Sequence, residues 1–233
     1  MTRFHPLTLT IRERLDELAD PERARGMAAY LKHVQAFRGI AMGPVREVAH
    51  AALRAHPLTE GKEITRVVRE LWQGKYREDR YAAVRICQRT LRQHPPEMLE
   101  LFLWMVEEGA WWDLVDVVAA DLVGPLIRAH PALAPQVYEL IRHENMWLRR
   151  TALLAQLKFK DGTDRERLAE MVLATAHEKE FFIRKAIGWV LREYAKTDAP
   201  WVRKFVKQHA GALSPLSCRE ALKNIGGWKK PSG

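Results

Sequence analysis

The sequence has few of the features that mark metal proteins, membrane proteins and nucleotide-binding enzymes. Its two cysteines, Cys87 and Cys218, and its nine histidines occur at no spacing typical of metal ligands. It has no apolar run long enough to span a membrane, no apolar signal core near Met1, no glycine-rich phosphate loop and no strand-type alternation. We therefore expect an all-α protein of the cytoplasm, with no metal, no other cofactor and no membrane contact.

Positive charge is what the composition has in excess. Lysine and arginine number 38 against 29 aspartates and glutamates, which gives a formal net charge of +9 and a pI near 9.7. This balance favours a polyanionic partner, and nucleic acid before an acidic membrane surface. Net charge alone is weak evidence for such a partner, so the position of the charges along the chain has to be considered.

A helical repeat recurs beyond residue 60. The second helix of each pair is predicted to begin near Tyr76, Trp111, Asn145, Glu180 and Ser214. These starts are 34 or 35 residues apart, which is typical of an α-solenoid. We expect one helical-repeat domain over 1–233, with N-terminal helices in 1–60, about five helical pairs in 61–225 and a flexible tail at 226–233.

The N-terminal region is predicted to hold shorter helices and one loop. Helical periodicity covers 11–18 and 21–33, with Pro21 as a first-turn signal. The segment 35–44 contains two glycines and a proline, which predicts a loop. Helix is expected to resume at Val45.

Charge differs between the two sets of helices. The first helices of the pairs carry a net charge of −3, whereas the second helices at 76–93, 145–160 and 180–196 carry +9. Including 111–122, which has three aspartates and no base, leaves +6. In a solenoid each set lines one face, so the sequence predicts a basic concave face along which a phosphate backbone could lie.

Trp112 and Asp116 stand apart from the apolar stripe of their helix. That stripe consists of Trp111, Leu114, Val115 and Val118. Trp112 lies about 100° round from it, and Asp116 is four residues further on, so indole and carboxylate share a neighbouring face. Either the two residues meet a ligand, or Trp112 covers a neighbouring helix while Asp116 is solvated or pairs with an arginine.

Two further residues are unusual for their position. Trp189 lies off the apolar stripe of its helix and shares a face with Lys185, Arg192 and Lys196, which suits stacking beside phosphate. Arg150 shares a face with apolar residues near a helix start. The alternatives are a tryptophan that caps the last repeat, and an arginine that reaches water or pairs with a carboxylate.

Two indoles and one carboxylate on a basic face suit a flat, cationic ligand. An N3- or N7-alkylated purine in DNA is such a ligand, and it can leave its sugar without being protonated. One carboxylate then suffices to stabilise the oxocarbenium-like sugar and to position water, whereas most glycosidases need two carboxyl groups. Asp116, flanked by Trp112 and Trp189, fits that requirement.

Several longer motifs carry a resemblance to a known family. They are the residues MAAY at 27–30, FRGI at 37–40, WWDLVD at 111–116, NMWLRRTA at 145–152 and KEFFIRKAIGWVLREYAKT at 179–197. Together they resemble the AlkD family of bacterial DNA glycosylases, which are built of HEAT-like repeats. The segment 41–43 departs from that family, where a short basic or polar turn is usual.

The resemblance implies a monofunctional glycosylase that removes cationic N3- and N7-alkylpurines from double-stranded DNA and leaves an abasic site. It implies Asp116 as the catalytic carboxylate and Trp112 and Trp189 as an aromatic cradle. Arg150 and Tyr30 are implied as DNA contacts, and the basic face adds the expected contacts Arg149, Lys185, Arg192 and Lys196. We expect a monomer that associates with the nucleoid when bound to DNA.

Two other functions remain open from the residues alone. One is a catalytically inactive helical-repeat scaffold that binds DNA or an acidic protein through the same face. The other is a metal-dependent nuclease using Asp113, Asp116 and Asp121, although these carboxylates point in different directions round one helix. Base release that depends on Asp116 is expected of the glycosylase only.

Overall fold

The computed structural model describes residues 4–226, so the expected tail lies outside this range except for Gly226. Within these residues the chain forms helices joined by short turns and contains no strand. An isolated parallel β-bridge pairs Ala36 with Tyr76. The all-α helical-repeat fold is therefore confirmed.

Contacts divide the chain into two compact units, Met1–Leu101 and Phe102–Gly233, with the boundary inside one helix. The helices of the N-terminal unit are α1 (Pro6–Glu17), α2 (Pro21–Tyr30), α3 (Met42–Ala55), α4 (Gly61–Trp72) and α5 (Arg77–Arg89). The helix α6 (Met98–Gly109) contains the boundary. In the N-terminal unit, α3 and α4 both pack against α5, and α1 packs against α3.

The C-terminal unit continues the alternation of first and second helices. Its helices are α7 (Trp112–Val118), α8 (Gly124–Ala129), α9 (Ala134–Glu139), α10 (Met146–Leu154), α11 (Arg165–Thr175), α12 (Phe181–Tyr194), α13 (Ala199–Gln208) and α14 (Pro215–Leu222). Its core consists of buried apolar side chains, mostly from α10 to α14, and α12 contributes Ile183, Ile187 and Val190.

The predicted repeat is present in the structure. The second helices α5, α7, α10, α12 and α14 begin one residue after each predicted start, at intervals of 35, 34, 35 and 34 residues. The predicted start residues are the N-caps. Asn145 and Ser214 cap through their side chains, which accept from Trp147 N and Ser217 N and so satisfy amides that the helix leaves without an acceptor.

Three local expectations are wrong. Helix α3 begins at Met42, so Pro44 lies in its first turn, where a missing N–H costs nothing. Helix α2 ends at Tyr30, and the next turn holds Lys32 and His33 at φ of 59° and 57°. Trp111 is not part of the stripe of α7, because it is the N-cap and has extended backbone.

The helix that begins at α7 is longer than expected and irregular. A wider π-helical turn at 119–123 joins α7 to α8, so helix continues to Ala129. Pro125 explains the irregularity, because it cannot donate to the carbonyl of Asp121 and its ring crowds that turn.

Among residues 4–226, no single helix is long and apolar enough to cross a membrane. The one pair of helical segments that reaches this length and composition together is bent by 117°.

Candidate active site

Helix α7 places Trp112 and Asp116 together. Trp112 occupies its first position and Asp116 follows four residues later, so both side chains lie on one face. Leu114, Val115 and Val118 are fully buried on the other side of the helix, which anchors it in the core. Trp112 and Asp116 are both partly exposed. The carboxylate therefore lies at the edge of the core and not inside it.

Asp116 is held by Arg150 from α10. Arg150 Nε donates to Asp116 Oδ1 at 2.7 Å and Nη2 donates to Oδ2 at 2.8 Å, which is the bidentate geometry of a strong ion pair. Arg150 Nη1 donates to the backbone carbonyl of Phe182 on α12. The Arg150 side chain is 5% exposed and that of Asp116 13%. A single arginine thus ties α7, α10 and α12 together at the carboxylate.

This arrangement bears on the expected DNA contact of Arg150. All three of its guanidinium nitrogens are engaged inside the protein. The side chain is therefore placed to orient Asp116, and a role in touching DNA stays a prediction. The sequence contained a signal for this pair, because Arg150 and Asp116 are 34 residues apart, one repeat period. Stacked repeats bring equivalent positions together.

The pKa of Asp116 reflects opposing influences. Burial raises it, the hydrogen bonds and charge of Arg150 lower it, and the negative charge of Asp113 raises it again, with a raised pKa as the result. The carboxylate therefore takes up a proton at higher pH than an exposed aspartate does.

An aromatic cluster that the sequence analysis missed lies beside Arg150. The rings of Trp111, Trp147 and Phe182 contact one another, with centroids 5.0 to 6.0 Å apart. The guanidinium of Arg150 lies 6.0 Å from the centroid of Phe182. Trp147 and Phe182 each follow an N-cap by two residues, so the repeat alignment could have found them. Phe182 joins this aromatic cluster to the ion pair, because its ring lies near the guanidinium of Arg150 and its carbonyl accepts from it.

Trp189 lies on the same helix as Phe182 but further along it. The two residues are seven positions apart, so they share a face of α12 about 10 Å apart along its axis. Trp189 is half-buried and packs against the core of the C-terminal unit. The face of α12 that reaches Arg150 is therefore the face that carries Trp189.

The basic residues expected to contact DNA in this unit all have carboxylate partners. Arg149 makes a bidentate pair with Glu178, with N···O distances of 2.9 and 2.8 Å. Glu220 pairs with both Lys185, at 3.0 Å, and Arg192, and Glu193 pairs with Lys196. Counting charge by helix missed the first three pairs, because Glu178 and Glu220 lie outside the helices that were counted.

Glu220 is close to α12 because Gly188 has no side chain. A Cβ added to Gly188 would lie 2.4 Å from the Cβ of Glu220 and 3.0 Å from the carbonyl of Ser217. Helices α12 and α14 therefore cross at Gly188, between Lys185 and Arg192. The carboxylate of Glu220 lies between two cations on the helix face that carries Trp189.

Tyr30 lies in the N-terminal unit, at the end of α2, and its side chain is 71% exposed. Helix α2 contributes no fully buried residue, and its start is fixed by Asp20, which caps Glu22 N and Arg23 N. Tyr30 is therefore accessible, as a DNA contact requires.

The motif at 37–40 has a structural role that was not foreseen. The fully buried carboxylate of Glu78 accepts hydrogen bonds from the amides of Arg38, Gly39 and Ile40, at 2.8 to 3.1 Å. Arg38 also pairs with buried Asp79 at 2.9 Å. Gly39 has a φ of +89°, and a Cβ there would lie 2.1 Å from Asp20 O. These contacts fix the loop between α2 and α3.

Arg77 was counted with the basic helix 76–93 in the sequence analysis, but it does not lie on the protein surface. Its side chain is 1% exposed, and Glu78 and Asp79 beside it are also buried. These charges belong to the interior of the N-terminal unit.

The two cysteines, Cys87 and Cys218, are buried and unpaired with one another. Among residues 4–226, no group of three or more histidine, cysteine, aspartate or glutamate side chains could hold a metal ion. Asp113, Asp116 and Asp121 accordingly do not converge.

The chain is similar to known proteins over most of its length. Residues 11–225 match the sequence model of a family described as DNA alkylation repair enzyme. A solved structure of a predicted DNA alkylation repair enzyme from Enterococcus faecalis matches with a TM-score of 0.82 and 32% sequence identity, over 89% of this chain and 96% of that one. Among curated proteins there is no match.

Proposed function

Because this chain belongs to the DNA alkylation repair enzyme family, we propose that it is a monofunctional DNA glycosylase. It hydrolyses the N-glycosidic bond of cationic N3- and N7-alkylated purines in duplex DNA and leaves an abasic site. The observation that carries the proposal is the mostly buried carboxylate of Asp116, fixed by Arg150 on the helix face that also carries Trp112.

The chemistry needs a negative charge at the sugar. As the purine leaves, positive charge develops on the deoxyribose, and a carboxylate nearby stabilises it. Arg150 uses one lone pair of each Asp116 oxygen, so each oxygen keeps another for the sugar or for water. Because the arginine fixes the carboxylate in advance, little reorganisation is needed during the reaction. An alkylated purine is already cationic, so no general acid is required.

The tryptophans supply the other half of the site. Indole faces attract cations by about 0.5 to 2 kcal/mol, which favours a cationic purine over a neutral one. Trp112 shares the face of Asp116, and Trp189 shares the face of α12 that reaches Arg150. Both are half-buried, so each has surface left for a ligand.

One assay tests the activity directly. Duplex DNA with a single 7-methylguanine is incubated with the protein in excess chelator, and abasic sites are scored by alkaline cleavage. Accumulation of abasic sites above the uncatalysed rate supports the glycosylase. Absence of base release with DNA binding retained indicates the scaffold, and strand breaks that need a divalent ion indicate the nuclease.

The raised pKa of Asp116 predicts an acid limb in the rate of base release. Activity requires the ionised carboxylate, so the rate falls as the pH drops through the pKa of Asp116. Because this pKa is raised, the fall occurs at higher pH than for an ordinary aspartate, whose pKa is near 3.9. Because the charge of Asp113 contributes to the raised pKa, Asp113→Asn should move the limb to lower pH. Single-turnover rates across pH, corrected for uncatalysed release, measure the shift. Glu139→Gln, an exposed acid on α9, serves as the control, and an unmoved limb in Asp113→Asn contradicts the assignment.

Glu220 should weaken DNA binding by this unit, because it neutralises Lys185 and Arg192. Glu220→Gln frees both cations, so we expect a several-fold tighter complex with undamaged duplex and a steeper dependence on salt. Fluorescence anisotropy over a salt series measures both. Glu170→Gln, which breaks the exposed pair with Arg167 on α11, removes the same charge elsewhere. Equal affinities of the two variants would count against a role for Glu220.

A further inference from the structure

Gly124 lies where the helix that carries Asp116 approaches α10 most closely. It is the first residue of α8 and is buried. Its φ of −56° and ψ of −57° are helical, so the backbone conformation does not require glycine. A Cβ at this position would lie 2.4 Å from the carbonyl oxygen of Ala155, the C-cap of α10. Because the obstructing atom is main chain, a larger residue has to move the two helices apart.

The wide turn at 119–123 determines the direction in which Gly124 faces. The amide of Gly124 donates to the carbonyl of Ala119, five residues earlier, so the turn holds one residue more than an α-helical turn. In a continuous α-helix, Gly124 would lie about 80° round the axis from Asp116. With one residue taken up by the wide turn, the difference is about 20°. Asp116 and Gly124 therefore lie on one face, about two turns apart.

Asp121 is the additional residue of the wide turn. Its side chain is partly exposed and pairs with Lys158, which follows the end of α10. The other residues of the turn are buried, and they are Ala119, Ala120, Leu122 and Val123. Asp121 is therefore placed on the outer side of the turn, where removing it disturbs the packing least.

The helix that carries Asp116 meets α10 at two points of this face. Arg150 holds Asp116 with N···O distances of 2.7 and 2.8 Å, and Ala155 faces Gly124. Arg150 and Ala155 are five residues apart, about 7.5 Å along the axis of α10. Both α7 and the wide turn pack against α10. A change in helix separation at Gly124 is therefore transmitted to the ion pair.

We propose that Gly124, aligned with Asp116 by the wide turn, is a positioning residue that holds the carboxylate against Arg150. Its effect on base release rests on the proposed function, whereas its effect on the ion pair can be measured without a substrate. Gly124 is buried and acts through Asp116. A misplacement of about 1 Å can lower the rate of a reaction about 10²-fold, so close helix packing here matters for the chemistry.

The test compares Gly124→Ala with Gly162→Ala. Both add one methyl group to the C-terminal unit, but a Cβ at Gly162 meets no atom within 4 Å. The first readout is the NMR signal of the Arg150 Nε–H, which is assigned by its absence in Arg150→Lys. Its exchange with solvent should be slow in the wild type and in Gly162→Ala, and about tenfold faster or more in Gly124→Ala, because a charged hydrogen bond is weakened. Wild-type protection in Gly124→Ala overturns the proposal.

The second readout is the single-turnover release of 7-methylguanine at saturating protein. Gly124→Ala should lower this rate by about tenfold or more, while Gly162→Ala keeps the wild-type rate. Both variants should bind duplex DNA as the wild type does. Weaker binding with an unchanged saturated rate overturns a positioning role.

A double-mutant cycle separates positioning from a general loss of packing. Arg150→Lys removes the bidentate pair, so adding Gly124→Ala to it should lower the rate much less than in the wild-type background. General destabilisation would lower the rate by the same factor in both backgrounds. Equal factors therefore overturn the proposal.

A deletion of Asp121 tests the alignment even if Gly124→Ala does not fold. Without this residue a regular α-helix places Asp116 and Gly124 seven positions apart, again on one face. We expect the deletion variant to fold and to keep the slow exchange of the Arg150 Nε–H. Failure to fold, or fast exchange in the folded variant, overturns the alignment.

This proposal and the proposed function fail in different ways. If the wild type releases no base but Gly124→Ala exposes the Arg150 Nε–H to exchange, the positioning role stands and the glycosylase fails. If the wild type releases base and Gly124→Ala does so at the same saturated rate, only the role of Gly124 is overturned.

Discussion

Asp116→Asn should abolish base release while duplex DNA is still bound. The substitution keeps the size of the side chain and one acceptor for Arg150, but it removes the negative charge that stabilises the sugar cation. Loss of one preorganised electrostatic group of this kind costs about 10²- to 10³-fold in rate. The measurement is the single-turnover release of 7-methylguanine at saturating protein, with anisotropy as the check on binding. A variant that keeps more than a tenth of the wild-type rate contradicts the assignment of Asp116.

Stability has to be separated from chemistry in this experiment. Removing one partner of a buried ion pair costs about 3 to 5 kcal/mol, because the charge of Arg150 is left without its counter-ion. Glu178→Gln is the matched control, since it breaks the pair with Arg149, which is also bidentate and mostly buried. Both variants should lose stability, and only Asp116→Asn should lose base release. If Glu178→Gln lost base release to the same extent as Asp116→Asn, loss of folding would explain the defect.

The second large effect is expected in the N-terminal unit, from Glu78→Gln. Glu78 accepts three amide hydrogen bonds and is fully buried. The glutamine keeps one acceptor oxygen but turns an N–H group towards amide donors, so buried amides lose their acceptor. We expect the free energy of unfolding to fall by about 3 kcal/mol or more.

Hydrogen exchange and urea denaturation measure this loss. The amides of Arg38, Gly39 and Ile40 should exchange faster in Glu78→Gln, because they lose their acceptor. Glu47→Gln on α3, an exposed acid, should leave exchange and unfolding near those of the wild type. Protection of the three amides at wild-type levels would show that Glu78 does not hold the loop.

The repeat could be predicted because its signals are local. Helical periodicity and capping residues lie within a few positions of one another, so the starts of five second helices were found to within one residue. The errors arose where one residue is compatible with two states. Pro44 both ends a loop and begins a helix, and Trp111 has an apolar side chain but serves as an N-cap.

Only part of the candidate site could be predicted. The shared face of Trp112 and Asp116 follows from helix geometry, whereas the partner of Asp116 depends on how consecutive repeats stack. The pairs of Arg150 with Asp116 and of Arg149 with Glu178 join residues 34 and 29 positions apart. A search for opposite charges at the repeat period would have suggested the first pair but not the second. The burial of Glu78 and Asp79 has no such signal, because nothing local marks a charged pair as interior.

The bond from Arg150 to the carbonyl of Phe182 has an evolutionary and experimental consequence. Its acceptor is main chain, so no amino-acid exchange at position 182 deletes it, and scanning mutagenesis of side chains will pass over it. A shift of the first turn of α12, or of the whole helix, would withdraw that oxygen. The orientation of the Asp116 carboxylate therefore depends on the position of α12, through Arg150. Substitutions that tilt α12 should lower the rate of base release even where they contact neither the sugar nor the purine.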